Sequence, residues 1–220
     1  MATLKLYAAE VSPCVRSVLL TIEALNLENI QIVPVDLFQG ETNSSDFRKI
    51  NPIGKVPVLT DGQLTIWDSH AINAYLVDKY GTNDNLYPKS PEKRASINSM
   101  NHFDTGRLFA AHDVIIKSIL SSPEPKLLDQ ELAKPLAEAY DLLETILTTR
   151  LYVAGNQLSI ADFSIATTLS QSQNYLPLIP GKHERILAWY RKMTTLPYFG
   201  KVNDNGLNKV KEVLKEKLMR

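Results

Sequence analysis

Along the first third of the chain the spacing of hydrophobic positions switches repeatedly between two periods. Leu4-Lys5-Leu6-Tyr7 alternates as a half-buried strand does. Ser12-Pro13 then opens a helix, with serine suited to the N-cap and proline to the first helical position. Val15, Val18, Leu19, Ile22 and Leu25 continue it as an i, i+3, i+4 stripe. Ile30-Gln31-Ile32-Val33 reads as a second strand, parallel to the first if the helix is the crossover between them. A polar stretch from Gln39 to Ser45 leads into a weak helical turn at Asp46 to Ile50. Val58-Leu59-Thr60 and Leu64-Thr65-Ile66-Trp67 flank Asp61-Gly62, a hairpin signal. Ile72, Tyr75, Leu76 and Tyr80 share one face of a helix starting at Ser69. The order β-α-β-α-β-β-α predicts a small mixed sheet with helices on its faces.

From Gly81 the pattern changes. Gly81-Thr82-Asn83-Asp84-Asn85 and Pro88-Lys89-Ser90-Pro91 form a polar, proline-bounded connector, and no strand pattern follows. A long helix is predicted from near Glu92, with Leu108, Ala111, Ile115 and Ile119 at helical spacing. Leu128, Leu132, Leu136, Ala139, Leu143 and Ile146 repeat that spacing, and Pro135 must either kink that helix or start it. Ser159-Ile160-Ala161-Asp162 is a near capping box, with Asp in place of Glu, and opens another helix. Arg185 to Thr194 and Leu207 to Leu218 are two further amphipathic segments. The expected organisation is an α/β domain over residues 1–80, a linker over 81–91 and an all-α domain over 92–220.

Composition narrows the function classes. A hydrophobic share of 44% with 22% charged residues is that of a globular protein able to build substantial cores. Lys+Arg 24 against Asp+Glu 24 leaves no net charge, so neither nucleic acid nor an anionic membrane is an expected partner. No apolar run approaches a bilayer span, and Met1 to Lys5 lacks a signal-peptide pattern. A single cysteine, Cys14, excludes an internal disulfide and a thiolate metal cluster. With four histidines and no His-x-x-x-His spacing, no metal site is expected. These readings place the chain in the cytoplasm.

Two nearby stretches carry the chemistry. In Asn51-Pro52-Ile53-Gly54-Lys55-Val56-Pro57-Val58-Leu59, a proline between two β-formers suits an edge-strand entry or a tight turn, cis or trans. Pro57 has no N–H, which leaves Val56 to offer its backbone to an extended ligand, as in strand addition. In Trp67-Asp68-Ser69-His70-Ala71-Ile72, an apolar run ends where a helix begins, and helix N-terminal N–H groups make an anion site. Together they describe a receptor for a small peptide-like molecule carrying a carboxylate and an amine.

Ser12-Pro13-Cys14-Val15-Arg16, Asn51-Pro52, Val56-Pro57-Val58-Leu59 and Asp68-Ser69-His70-Ala71-Ile72 resemble the glutathione-binding domain of cytosolic glutathione transferases. The serine type fits, with the insect delta and epsilon classes most similar. Leu86-Tyr87-Pro88, His102-Phe103-Asp104, Ala154-Gly155, Ser159 to Phe163 and Leu196-Pro197-Tyr198 extend the resemblance over nearly the whole chain. It implies a thioredoxin-like first domain with a cis-proline at Pro57, a helical second domain and a two-fold homodimer. It implies glutathione as co-substrate and conjugation of its thiolate to small hydrophobic electrophiles in detoxification, with organic hydroperoxide reduction a further activity. A weakly catalytic or non-catalytic carrier of hydrophobic ligands such as steroids is the alternative.

By that resemblance Ser12, otherwise a helix N-cap, donates a hydrogen bond to the glutathione sulfur. Such a bond and the helix N-terminus together supply on the order of 1.5–3 kcal/mol, or one to two pKa units of a thiol. Tyr7 is the rival donor and is expected to pack instead; Cys14 is either a nucleophile in a first helical turn or a small buried hydrophobe. Ser69 holds the γ-glutamyl carboxylate, Asp68 accepts from its amine, and Val56 pairs with the cysteinyl unit. Thr42 and Gly54 stand where many delta and epsilon relatives carry histidines for the glycine end, with Lys55 the substitute cation or a solvated surface lysine. His70 replaces an arginine common in delta relatives, and with Asp104 it either supports the γ-glutamyl site or is an ordinary neighbour of it. For the hydrophobic substrate, Phe109, His112, Asp113, Ile116, Lys117 and Leu120 form a mixed stripe, either pocket or solvated helix face. Val11, Phe38 and the last helix near Leu207 would join it.

Overall fold

A computed structural model describes residues 4–121 and 129–218. Strand β1 (Leu4–Ala8) buries Leu4, Leu6 and Ala8 on one side, as its alternation requires. Helix α1 (Pro13–Ala24) carries the chain across to β2 (Ile30–Pro34), which lies parallel to β1 with Leu4 opposite Ile30 and Ala8 opposite Pro34. After the short α2 (Ser45–Ile50), β3 (Val58–Asp61) and β4 (Leu64–Trp67) form an antiparallel hairpin. The sheet order is β2-β1-β3-β4, with β3 antiparallel to β1. Helix α3 (Ser69–Tyr80) packs with α1 on the sheet, where Leu6, Val15, Val18, Leu59, Ile72 and Leu76 are wholly buried. Phe47 of α2 joins Val35 and Val58 in a smaller cluster that Tyr7 packs against, its ring edge-on to Phe47 at 6.4 Å.

The second half is helical: α4 (Pro91–Phe103), α5 (Phe109–Ser121), α6 (Gln130–Ile146), α7 (Ile160–Ser172), α8 (Glu184–Thr194) and α9 (Phe199–Leu218). Every residue of α7 is buried. Its hydroxyls therefore turn back on their own helix, as Thr167 Oγ1 does to the Phe163 carbonyl at 3.0 Å and Ser172 Oγ to that of Thr168 at 2.7 Å. Asp162, in the first turn of α7, accepts from the Ser159 amide at 2.9 Å, so aspartate does serve the capping position. Leu20 of α1 belongs to the helical core rather than the sheet core, so α1 is packed on both sides.

Two expectations need correction, and one open alternative is closed. The long helix from Glu92 is interrupted by a π-helical turn at Asp104–Leu108, which turns Asp104 and Thr105 towards α3. Pro135 lies inside α6 as its sixth residue, five after the helix opens at Gln130; Leu128 is outside the described residues. The last helix starts at Phe199, two turns before Leu207. Its first two turns contain Gly200 and Gly206, poor helix formers that hide it from a propensity reading. Packing explains Gly206, because a Cβ there would stand 2.0 Å from the Glu10 carbonyl oxygen. The helix backbone thus presses directly on the segment that leads to Ser12.

Candidate active site

Two hollows meet at Ser12. The first is a cleft of about 520 Å³ between the sheet edge and α5. The second, about 240 Å³, runs between α5, α9 and the loop after β2. Other hollows, beside β2 and beside residues 154–159, include neither Ser12 nor Asp68.

Ser12 sits at the N-cap of α1, where its Oγ accepts from the Val15 amide at a long 3.4 Å. A bond that long leaves the hydroxyl free to turn towards a ligand. The segment before it is fixed from behind by Arg16, a wholly buried guanidinium with no carboxylate partner among the described residues. Arg16 Nη1 donates to the carbonyls of Glu10 and Val11 at 3.1 and 3.2 Å, and Nη2 to Gln171 Oε1 at 2.8 Å. Burial lowers its pKa to about 10, still well above neutrality, so it stays a cation. In the sequence Arg16 is marked only as the lone cation of α1, set beside its apolar stripe.

On the facing wall the Val56-Pro57 peptide is cis. Asn51 braces the loop before it, donating from Nδ2 to the Lys55 carbonyl at 2.8 Å and accepting from the Ile53 amide at 3.1 Å. Gly54 lines the cleft with a φ of +67°, a conformation that favours glycine. A Cβ at position 54 would lie 2.5 Å from Arg48 Cζ, so the Arg48 guanidinium occupies the space beside Gly54. Arg48 is held there by the Pro52 carbonyl at 2.7 Å and Asn43 Oδ1 at 3.3 Å. Lys55, Val56 and Pro57 line the cleft, whereas Thr42 is buried in the turn at 41–43 and does not.

The third wall is the start of α3. Asp68 has a φ of +78°, which side chains rarely adopt, and its Oδ1 accepts from the His70 and Ala71 amides at 2.9 and 3.2 Å. Ser69 is buried as the first helical residue. The His70 ring reaches across to the π turn, with Nε2 at 3.2 Å from Asp104 Oδ2 and Nδ1 at 3.2 Å from Thr105 Oγ1. Asp104 is buried, and its Oδ1 has no partner. Both residues line the cleft. Burial opposes a charged imidazole, but the hydrogen bond and charge of Asp104 outweigh it, with Asp68 adding, and the His70 pKa is raised above its usual 6.5. A raised histidine pKa stabilises the fold fully below 6.5, and that contribution is lost as pH rises through the folded value. His70→Asn is therefore expected to lower stability by about 1 kcal/mol at pH 5.5 and by less at pH 9, measured by urea unfolding at both pH values.

Cys14 also lines the cleft, but burial pushes its thiol up to about 12, with Asp104 adding to the effect. A thiol held protonated is a poor nucleophile, which favours the packing reading of Cys14. Trp67 lines the same cleft and was not foreseen as a site residue.

The narrower hollow is lined by Val11, Phe38, Phe109, His112, Asp113, Ile116, Lys117 and Leu120, so the mixed stripe of α5 faces a cavity. The last helix contributes Val210, Val213 and Leu214. Leu207 is buried but outside this lining, because the last helix starts two turns earlier than its pattern suggested and meets the cavity further along. His112 pairs through Nδ1 with the Tyr175 hydroxyl. Burial lowers its pKa to about 4 against the pull of Asp113, with Arg16 adding, so the ring is neutral.

Residues 2–78 match the family described as glutathione S-transferase, N-terminal domain, and residues 128–192 match glutathione S-transferase, C-terminal domain. Glutathione S-transferase 1 of Manduca sexta is 34% identical over 97% of this chain and 98% of its own length. An epsilon-class glutathione S-transferase from the housefly, Musca domestica, superposes with a TM-score of 0.92 at 37% identity, covering 97% of this chain and 98% of that one. A glutathione transferase homologue from Drosophila mojavensis, solved with bound glutathione, gives 0.91 at 38% identity over 99% and 98%. No helix among the described residues is long and apolar enough to cross a membrane. A thioredoxin-like sheet domain, a helical domain and 34–38% identity to these insect proteins over nearly the whole length have one common explanation: the chain belongs to the glutathione S-transferase family, in the company of its insect delta and epsilon classes.

Proposed function

We propose that this chain binds glutathione in the cleft walled by Gly54 to Pro57 and Asp68 to His70, with its sulfur at Ser12, and adds that sulfur to hydrophobic electrophiles in the adjoining hollow. The observation that carries the reading is that Ser12 lines both hollows. A hydroxyl at that junction can donate to a sulfur held on one side while an acceptor approaches from the other. No general base is needed, because a charge-assisted hydrogen bond and the α1 N-terminus favour the thiolate directly.

Each other residue takes a role its geometry suits. The Ser69 amide, the one first-turn N–H of α3 that Asp68 does not take, receives the γ-glutamyl carboxylate together with the Ser69 hydroxyl. Asp68 and the unpartnered Oδ1 of Asp104 offer negative charge to the γ-glutamyl amine, and His70 holds Asp104 in place. Val56 offers its backbone to the cysteinyl unit. Lys55 lines the cleft beside Gly54 and supplies the positive charge for the glycine carboxylate, with the Arg48 guanidinium behind Gly54. Residues 1–80 form the glutathione domain, 81–91 the linker and 92–220 the domain for the hydrophobic substrate, in a cytoplasmic homodimer engaged in detoxification.

Retention on immobilised glutathione, with elution by free glutathione, tests the cleft; turnover of a chloronitrobenzene acceptor tests the chemistry. A chain that flows through the column and turns over no acceptor would retire the proposal. For the glycine end, Lys55→Ala is expected to raise the Michaelis constant for glutathione about threefold to tenfold with a smaller fall in kcat. Steady-state kinetics at varied glutathione measures this, and an unmoved constant would remove Lys55 from the glycine end.

A further inference from the structure

The turn that carries Ser12 has all four of its carbonyls engaged. That of Ala9 accepts from the Ser12 amide at 2.9 Å, and that of Ser12 from the Arg16 amide at 3.1 Å. The two between them, of Glu10 and Val11, both accept from one atom, Arg16 Nη1, at 3.1 and 3.2 Å. The direction of the Arg16 side chain therefore decides where the turn, and Ser12 with it, stands.

Arg16 is itself aimed from the other half of the chain. Its stem runs against α9, where a Cβ at Gly206 would stand 3.2 Å from Arg16 Cδ. Its head reaches α7, with Nη2 donating to Gln171 Oε1 at 2.8 Å and, at a long 3.4 Å, to the Thr167 carbonyl. Its Nε has no hydrogen-bond partner among the described residues. Gln171 thus supplies the one short hydrogen bond to Nη2 of a wholly buried cation. Without it the guanidinium would keep a distant acceptor and an unpaired Nε, which burial makes costly. Gln171 also lines the narrower hollow, from which water can reach a guanidinium that has lost its amide partner. The head would then turn towards that water and loosen its hold on the Glu10 and Val11 carbonyls.

We propose that Gln171 is a positioning residue for the sulfur chemistry: it aims Arg16, Arg16 holds the turn at 9–12, and the turn places the Ser12 hydroxyl against a bound sulfur. The proposal rests on the glutathione reading above. Gln171 acts without touching the sulfur, through a guanidinium and two peptide carbonyls. A hydrogen bond weakens steeply as its donor moves out of line, so a small displacement of the turn leaves the bound thiol a weaker acid. Helix α7, in the second half of the chain, in this way tunes an ionisation in the first.

The test titrates the thiolate absorbance of glutathione held by excess full-length protein, with no acceptor present, so a changed wall of the hollow cannot contribute. Gln171→Leu, similar in size and lacking an oxygen, is expected to raise the pKa of the bound thiol by about half to one unit. At pH 6.5 the kcat for a chloronitrobenzene should fall about threefold to tenfold in step, with the Michaelis constant for glutathione moved less than about twofold. Gln171→Glu keeps an oxygen for Nη2 and is expected to restore most of the parental pKa. Asn203→Ala is the control for stability alone. It removes the α9 oxygen that accepts from Ser170 Oγ of α7 at 3.1 Å, and leaves every Arg16 hydrogen bond in place. That variant should melt at a lower temperature with the thiol pKa unmoved. A parental pKa in folded Gln171→Leu, or an equal shift in Asn203→Ala, overturns this proposal and leaves the glutathione reading standing. A parent chain that lowers no thiol pKa and is not retained on immobilised glutathione overturns both.

Discussion

Ser12→Ala is expected to cut turnover of a chloronitrobenzene acceptor by about 10- to 100-fold at pH 7, because one charge-assisted hydrogen bond to a thiolate is worth about 1.5–3 kcal/mol. The same loss should raise the pKa of the bound thiol by about one to two units, since each unit reflects about 1.4 kcal/mol. Thiolate absorbance in the ultraviolet, titrated with enzyme in excess over glutathione, reads that shift directly. The rate deficit should shrink as pH rises and the thiol ionises unaided. Ser12→Thr keeps a hydroxyl and should retain much of the activity. Because Ser12 also caps α1, the alanine variant loses stability, by less than the usual ~1 kcal/mol for a cap, since the 3.4 Å bond is already long. A folded Ser12→Ala variant with parental thiol pKa and parental rate would end the hydroxyl's role. Cys14→Ala is expected to keep its turnover, because desolvation pushes the half-buried thiol it removes up to about 12.

The largest expected stability loss belongs to a residue far from the site. Asp162 is wholly buried and takes four donors at 2.9 Å each: the Val153 amide, the Ser159 amide and hydroxyl, and Trp189 Nε1. Burial pushes its pKa up, and those four hydrogen bonds oppose the rise. Asp162→Ala leaves the four donors without an acceptor inside the protein. The expected cost is about 4 kcal/mol, which for a chain of this size lowers the melting temperature by roughly 10 °C. Asp162→Asn should cost less, since its carbonyl still accepts while its amide faces a donor. Thermal unfolding followed by circular dichroism measures both, and an alanine variant within 1 °C of the parent would show that water replaces the carboxylate.

Ser12 is held by helices from both halves: Arg16 ties its loop to Gln171 of α7, and Gly206 of α9 packs on Glu10. The helical domain therefore does more than supply a pocket wall. It fixes the segment on which the Ser12 hydroxyl is carried, and a deletion of that domain would be expected to displace Ser12 as well as the narrower hollow.

The α/β order of the first eighty residues, the capping of α1 by Ser12 and the aspartate cap of α7 were all written locally. Alternation, N-cap chemistry and turn residues act within a few positions, so sequence alone determines them. The mixed stripe of α5 was likewise visible as a stripe, but whether it faced water or a cavity depended on α9, Val11 and Phe38 arriving from elsewhere. The same holds for His70 and Asp104, thirty-four residues apart and joined only because the π turn points one at the other. Thr42 and Leu207 differ from expectation for that reason: both are buried against other segments, and neither lines either hollow, the last helix reaching the narrower one first at Val210. The early start of α9 needed its contact with Glu10 to offset the poor propensity of Gly200 and Gly206. Local rules choose the elements, and close packing between distant segments chooses which polar groups share a cavity; that second choice belongs to the tertiary structure.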